Sequence, residues 1–260
     1  MSKLGKYTRR TFMVGAAAIA GGVAFGVYRA KTPFENPLGR DLPIGSATFN
    51  PWVLVDDTAV TLVLPHADLG QGVHSLQAAL IAEELDIELD QVQTTFGAPD
   101  KAYYNGGISG EMVPFMPTDD SRTAEFARSF AGGAIKAFMP MMMTGGSSTV
   151  PDSYLKLRQA GAMARETLKA AASAQTGVPV SNITTKNGAV HLPDGEIIPY
   201  TALAKRAAEL DPVQDVSLRP SSQWRLLGKP MKRTDIVAKS TGTQEYGIDV
   251  KAKDMVYATV

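Results

Sequence analysis

Two short stretches combine residue types that could hold a ligand without meeting it with side-chain charge. Leu69-Gly70-Gln71-Gly72-Val73 leads into a run with helical spacing, and Thr144-Gly145-Gly146-Ser147-Ser148-Thr149-Val150 leads into another. The first N–H groups of a helix have no intrahelical acceptor, and glycine leaves them unhindered, so such places attract anions. Gln71, Ser147, Ser148 and Thr149 add hydrogen-bonding side chains. The Gln71 amide both donates and accepts. Together the loops suit a large, polar, phosphorylated ligand with amide-like edges. Neither matches the Walker phosphate loop, which needs Gly-Lys-Ser/Thr, nor the dinucleotide GxGxxG pattern. Taken singly, each loop is equally a plain helix start, with glycine for the turn and Ser or Thr for the cap.

Other chemistries find less support. The chain has no cysteine, so it cannot by itself build a disulfide, a thiolate zinc site or an iron–sulfur cluster. Its histidines, His66, His74 and His191, are scattered, which argues against a histidine metal site. A hydrolase reading fails because there is no GxSxG element and Ser147 has no spaced His and Asp partners. Glu83 and Glu84 lie on a helical run and are expected to face solvent. No catalytic residue and no metal ligand is assigned.

The elements that must position the loops read as follows. Trp52–Val55 and Val60–Leu64 flank Asp56-Asp57-Thr58 as a β-hairpin. Val73–Leu85 is a helix and Val92–Phe96 a short strand. Residues 101–142 resemble an insertion or lid around a helix at Ser121–Phe138. The methionine-rich run from Phe138 to Met143 either fills an irregular core gap, the commoner use, or faces a partner or aromatic ligand. Pro151–Ala174 is a strong helix, ended by Gly177 and Pro179. A meander follows: Ile183–Thr185, Ala189–Leu192 and Ile197–Pro199, with turns at Asn187-Gly188 and Pro193–Gly195. Tyr200–Leu210 is a short helix, and Gln244–Val250 and Met255–Val260 read as strands. The expected class is therefore α+β, mixed sheets with packed helices. The expected organisation is a leader at 1–31, a linker at 32–50, a domain at 51–210 with 101–142 inserted, a linker at 211–228, and the start of a β-rich domain at 229–260. Because the sequence stops on an apolar strand pattern, the chain is expected to be the front part of something longer or to pair with a second chain.

Composition and charge set the setting. With 44% hydrophobic and 20% charged residues, the chain can build a core. Residues 1–31 hold six Lys/Arg and no Asp/Glu, leaving 20 basic against 26 acidic residues in the body. A mildly acidic body speaks against nucleic-acid binding. Arg9-Arg10, followed by the uncharged Ala/Gly/Val-rich run Thr11–Tyr28, resembles a bacterial twin-arginine export signal. A plain N-terminal membrane helix is the alternative, disfavoured because Gly15, Gly21, Gly22 and Gly26 weaken a lone helix. The signal implies a periplasmic protein, with the segment either cleaved or retained as an anchor, and a cargo already folded, often around a cofactor.

The stretches PHADLGQGVHSLQAALIAEELDIELDQVQTTFGAPD and TGGSSTVPDSYLKLRQAGAMARETL resemble the molybdenum-cofactor-binding subunit of the xanthine dehydrogenase/aldehyde oxidase family. With both loops early and behind an export signal, the order is similar to that of the isoquinoline 1-oxidoreductase large (beta) subunits and related periplasmic aldehyde dehydrogenases. The tail LLGKPMKRTDIVAKSTGTQEYGIDVKAKDMVYATV agrees; residues 101–142 fall outside the resemblance. The resemblance implies that Gly70, Gln71, Gly72, Gly145, Gly146, Ser147, Ser148 and Thr149 contact a molybdopterin, in its simple or cytosine-dinucleotide form. It also implies an iron–sulfur small subunit, a membrane cytochrome beyond it, and a small-molecule substrate: an N-heteroaromatic compound or an aldehyde, oxidised with oxygen from water. The family's catalytic glutamate has no counterpart in this chain, so the 260 residues alone are expected to lack turnover. A non-enzymatic exported binding or scaffold protein, with both loops serving only as helix starts, is the rival reading.

Overall fold

The computed structural model describes residues 22, 24–116 and 118–258. The Arg9-Arg10 pair and most of the expected export signal lie outside the described residues. Among the described residues no helix is long and apolar enough to cross a membrane.

The first sheet has four strands in the order β1 (Ala47–Asn50), β2 (Val53–Val55), β3 (Val60–Leu64) and β4 (Val92–Phe96). The expected hairpin is β2–β3, antiparallel, with Val53 opposite Leu62 and Val55 opposite Val60. Its turn is closed by Asp56, whose Oδ1 accepts from the N–H groups of Thr58 and Ala59. β4 pairs with β3 in parallel, from Val60–Val92 to Leu64–Phe96. A parallel neighbour needs a crossover, and helix α1 (Val73–Leu85) supplies it. The first glycine loop is thus the connection from the end of β3 into α1. β1 lies within the stretch expected to be a linker. Its four residues sit among prolines and glycines, which hid a strand too short to show a period.

Helix α1 is buried on nearly every side, so its sequence lacks the one-sided apolar stripe of a surface helix. One side faces the sheet and another faces helix α3 (Thr149–Thr176), which is longer than the Pro151–Ala174 run read from composition. The two helices approach backbone to backbone. A Cβ on Gly161 would stand 2.3 Å from the carbonyl oxygen of Ile81, so only glycine fits there.

Glu83 and Glu84 are fully buried, which corrects the expectation that they are solvated. The Glu83 carboxylate accepts the backbone N–H groups of Arg225, Leu226 and Leu227. Glu84 accepts from the Arg158 guanidinium at 2.9 and 2.6 Å and from the N–H of Arg219. Asp86, just past the end of the helix, pairs with Arg219 and accepts from Thr185. Each buried carboxylate is matched by donors, which is the condition for burying a charge at all. Residues 211–228, expected as a loose linker, are therefore a strap fastened along the end of α1.

The second sheet is the meander β5 (Thr184–Lys186), β6 (Ala189–His191) and β7 (Ile197–Pro199), antiparallel throughout. Asn187 and Gly188 both have positive φ, the Asn-Gly turn that the sequence indicated. The meander docks on the end of α1: the Gly188 N–H donates to Asp86 O at 2.7 Å, and the Tyr200 hydroxyl to Leu85 O at 2.7 Å.

Residues 101–142 form two 3-10 turns, Lys101–Tyr103 and Gly107–Met112, and helix α2 (Arg122–Phe138), with Ser121 as its N-cap. The insertion is seated firmly, since a Cβ on Gly107 would lie 2.4 Å from the carbonyl oxygen of Ser148. Met139 and Met141 are exposed, so the methionine run does not fill a core gap. After a short helix α4 (Tyr200–Ala207) and the strap, the tail carries helix α5 (Ile236–Thr241) and a 3-10 turn at Gly247–Asp249. The strands expected at 244–250 and 255–260 do not form among the described residues. That stretch is exposed and has no sheet edge beside it, and a strand without a neighbour leaves its ladder groups unpaired. The whole is α+β, as expected.

Candidate functional site

β3 ends at Leu64, and the chain turns into the first glycine loop at His66, which is 1% exposed. Gln77 of α1 fixes the turn: its Oε1 accepts the His66 N–H at 2.9 Å and its Nε2 donates to the His66 carbonyl at 2.9 Å. The imidazole then reaches the second loop. Nε2 stands 3.0 Å from Asp152 Oδ2 in the first turn of α3, and Nδ1 3.2 Å from the Met143 carbonyl. One residue on, the Ala67 N–H donates to Thr144 Oγ1 at 2.9 Å. The two loops thus meet at their bases, although 77 residues apart in the chain.

Asp152 is the hub of this junction. Its carboxylate faces His66, the Lys156 ammonium at 2.7 Å and the Gly106 N–H at 2.7 Å. Burial works against its ionisation, but His66, Lys156 and the Gly106 N–H outweigh it, and its pKa is lowered. Lys156 also donates to the Tyr104 carbonyl at 2.9 Å; burial lowers its pKa against the pull of Asp152.

The first loop is closed on itself. Asp68 accepts the N–H groups of Gly70 at 2.7 Å and His74 at 3.0 Å, with Gly72 at 3.5 Å. The chain's own carboxylate thereby occupies the anion position at the start of α1. Burial opposes the Asp68 charge, but these N–H groups and the Arg233 guanidinium prevail and its pKa is lowered. Arg233 clamps the loop from the tail, donating to Gly70 O at 2.9 Å. Gly70 and Gly72 have φ of 105° and 88°, which explains glycine at both places. Gln71 is exposed, and its amide folds back, accepting from the Leu69 N–H and donating to Ala67 O.

The second loop is the more open one. Gly145 is half-buried, Gly146 and Ser147 are exposed, and both of the latter have positive φ. Ser148 and Thr149 are buried. The Ser148 hydroxyl donates to Gly145 O at 2.6 Å and accepts from Asn105 Nδ2 at 2.6 Å, so it supports the turn. The Glu111 carboxylate stands 3.0 Å from where a Cβ of Gly146 would be. Among the described residues no cluster of three or more His, Asp or Glu groups could hold a metal ion.

Sequence reasoning placed the loops but missed their fastening. Asp152 and Lys156 are four apart on a helix, an ion-pair spacing visible in the sequence. Asp68 two residues before Gly70 is the spacing of an Asx turn. His66 carried no such signal.

No family model matches the chain. It is similar to the isoquinoline 1-oxidoreductase beta subunit of Brevundimonas diminuta, 29% identical over 98% of this chain and 33% of that one. It is 26% identical to a nicotinate dehydrogenase subunit of Pseudomonas putida, over 79% of this chain and 14% of that one. It is also 26% identical to a membrane-bound aldehyde dehydrogenase of Gluconacetobacter polyoxogenes whose name specifies pyrroloquinoline quinone, over 96% of this chain and 28% of that one. Among solved structures, quinoline 2-oxidoreductase from Pseudomonas putida 86 aligns over 59% of this chain and 15% of its own, at 17% identity and a TM-score of 0.35. The chain spans about a third or less of the relatives it matches.

Proposed function

We propose that this chain, a relative of the molybdopterin-binding subunits of the xanthine dehydrogenase/aldehyde oxidase family, is the cofactor-binding part of an exported molybdenum hydroxylase. The observation that carries the reading is the junction of the two glycine loops through Ala67–Thr144 and His66–Asp152. It would let two hydrogen-bonding turns address one prosthetic group. The exposed Gly146-Ser147 turn fits such a group once the Glu111 carboxylate beside Gly146 moves aside. Gly70, Gln71 and Gly72 fit it once Asp68 gives up their N–H groups and the Gln71 amide swings out.

When bound, the molybdenum cofactor would supply the two-electron oxidation of an N-heteroaromatic ring or an aldehyde with oxygen from water. The chain's own residues would hold and orient it. Gln71 would donate and accept at an amide-like edge, while the backbone of Gly145–Thr149 and the Ser147 hydroxyl would meet anionic oxygens. No catalytic base is assigned. Glu83 and Glu84 are consumed by the strap, and a base from elsewhere in the whole enzyme would complete the site. Electrons would leave through an iron–sulfur small subunit and then a membrane cytochrome. Export by the twin-arginine route to the periplasm belongs to the same reading, as does a simple or cytosine-dinucleotide pterin.

A second reading is a non-enzymatic exported binding or scaffold protein, favoured by the way Asp68 already satisfies the first loop. Metal analysis and chromatography of the released organic group separate the two, using protein purified from its own host. Molybdenum with a pterin is the expected result. Pyrroloquinoline quinone, or no prosthetic group, overturns the proposal.

A further inference from the structure

A cleft of about 560 Å³, lined by Phe34, Trp52, Tyr104, Lys136, Lys156 and Met163 among others, shares no residue with the two glycine loops. Its walls are largely aromatic and apolar, within the size range of small-molecule sites. The rings of Phe34 and Tyr104 meet edge to face, with centroids 5.6 Å apart. Three ammonium groups gather on them: Lys101 and Lys136 lie 5.7 and 5.8 Å from the Phe34 centroid, and Lys156 4.4 Å from that of Tyr104.

Of the carboxylates near this cluster, Asp152 answers Lys156 and the others are committed to Arg40, which leaves Lys136 unanswered among the described residues. Asp152 is shared between Lys156 and His66, and Asp100 and Glu35 both pair with Arg40. Among the described residues Lys136 has no carboxylate partner; burial, with the like charge of Lys156, lowers its pKa. A second donor in the wall is unmet as well, for the buried indole N–H of Trp52 has no acceptor. The cleft therefore has surplus positive charge, spare donors and flat apolar surface. What it lacks is an acceptor carrying negative charge.

We infer that the cleft binds a small arylcarboxylate, its carboxylate set against Lys136 and its ring among Phe34, Tyr104 and Trp52. A charge-assisted hydrogen bond at a partly buried lysine holds the anionic end, and ring packing holds the body. The site is separate from the cofactor loops and stands whether or not those loops bind a pterin.

Calorimetry with 2-naphthoate on the full chain tests it, together with the indole N–H signals of the two tryptophans, Trp52 and Trp224. The expected result is saturable one-site binding that moves the Trp52 signal and not that of Trp224. Neutral 2-naphthamide binds at least about tenfold more weakly, Lys136→Gln weakens 2-naphthoate by at least about tenfold, and Lys136→Arg retains it. Absence of saturable binding, equal affinity for acid and amide, a Lys136→Gln variant that binds 2-naphthoate as tightly as the parent, or movement of Trp224 alone overturns the inference.

Discussion

The imidazole of His66 and the carboxylate of Asp152, 3.0 Å apart and both buried, join the end of β3 to the first turn of α3. Each sits at the base of a different glycine loop, so the relative position of the loops depends on this pair. Asp152→Asn leaves the partly buried Lys156 beside a neutral amide; breaking a fully buried pair costs about 3–5 kcal/mol, and a loss of about 2–3 kcal/mol is expected for this partly exposed one. Urea unfolding at neutral pH should show a loss of that order.

The same residue sets a pH dependence. The folded pKa of Asp152 is lowered, so its stabilisation is complete above the unfolded value of about 3.9 and fades as pH falls through the folded one. The gap in unfolding midpoint between the parent and Asp152→Asn should therefore be wide at pH 6 and narrow steadily below about pH 4. A gap that stayed constant down to pH 3 would mean that the carboxylate charge is not what holds the junction.

Gly161→Ala places a methyl group 2.3 Å from the Ile81 carbonyl and must push α1 and α3 apart. A loss of about 3 kcal/mol is expected in thermal or urea unfolding. Gly39→Ala, whose added carbon meets nothing within 4 Å, serves as the control and should change stability by less than about 0.5 kcal/mol.

Glu83→Ala strips the acceptor from three backbone N–H groups of the strap. Hydrogen exchange should accelerate at residues 225–227 before it does at the β-strands, with a stability loss of about 2–3 kcal/mol. Uniform acceleration over the whole chain would show that the strap and the core open as one unit.

Asp68→Ala removes the acceptor at the start of α1, at a cost of about 1 kcal/mol. It should also make thermal stability newly sensitive to millimolar phosphate, because the freed Gly70 and His74 N–H groups become available to an outside anion. Equal phosphate responses in parent and variant would show that the loop does not open when Asp68 is gone.

Local chemistry was legible in the sequence; pairings across the chain were not. Periodicity located α1 and α3, and the Asn187-Gly188 turn located the meander. The glycine loops stand at the starts of α1 and α3 as the sequence indicates, but the partner of the first loop's N–H groups, Asp68, is not evident from its glycines. Asp68 was passed over although it lies two residues from Gly70. β1 escaped notice because four residues show no period, and the tail read as strand because propensity says nothing about whether a neighbouring edge exists. Glu83 and Glu84 misled for a related reason: charge predicts exposure unless partners are known, and theirs lie far along the chain.

That separation constrains how the protein can be made. Glu84 waits 74 residues for Arg158, and Glu83 waits 144 for the Leu227 N–H group. Until Arg158 is made, Glu84 has no cation beside it, and until residues 225–227 are made, Glu83 has none of its N–H donors, so water must remain around the end of α1. The early half of the chain does not contain the donors that its own buried carboxylates need. Dry burial of the end of α1 therefore requires the stretch from Arg219 to Leu227, whose N–H groups answer both carboxylates.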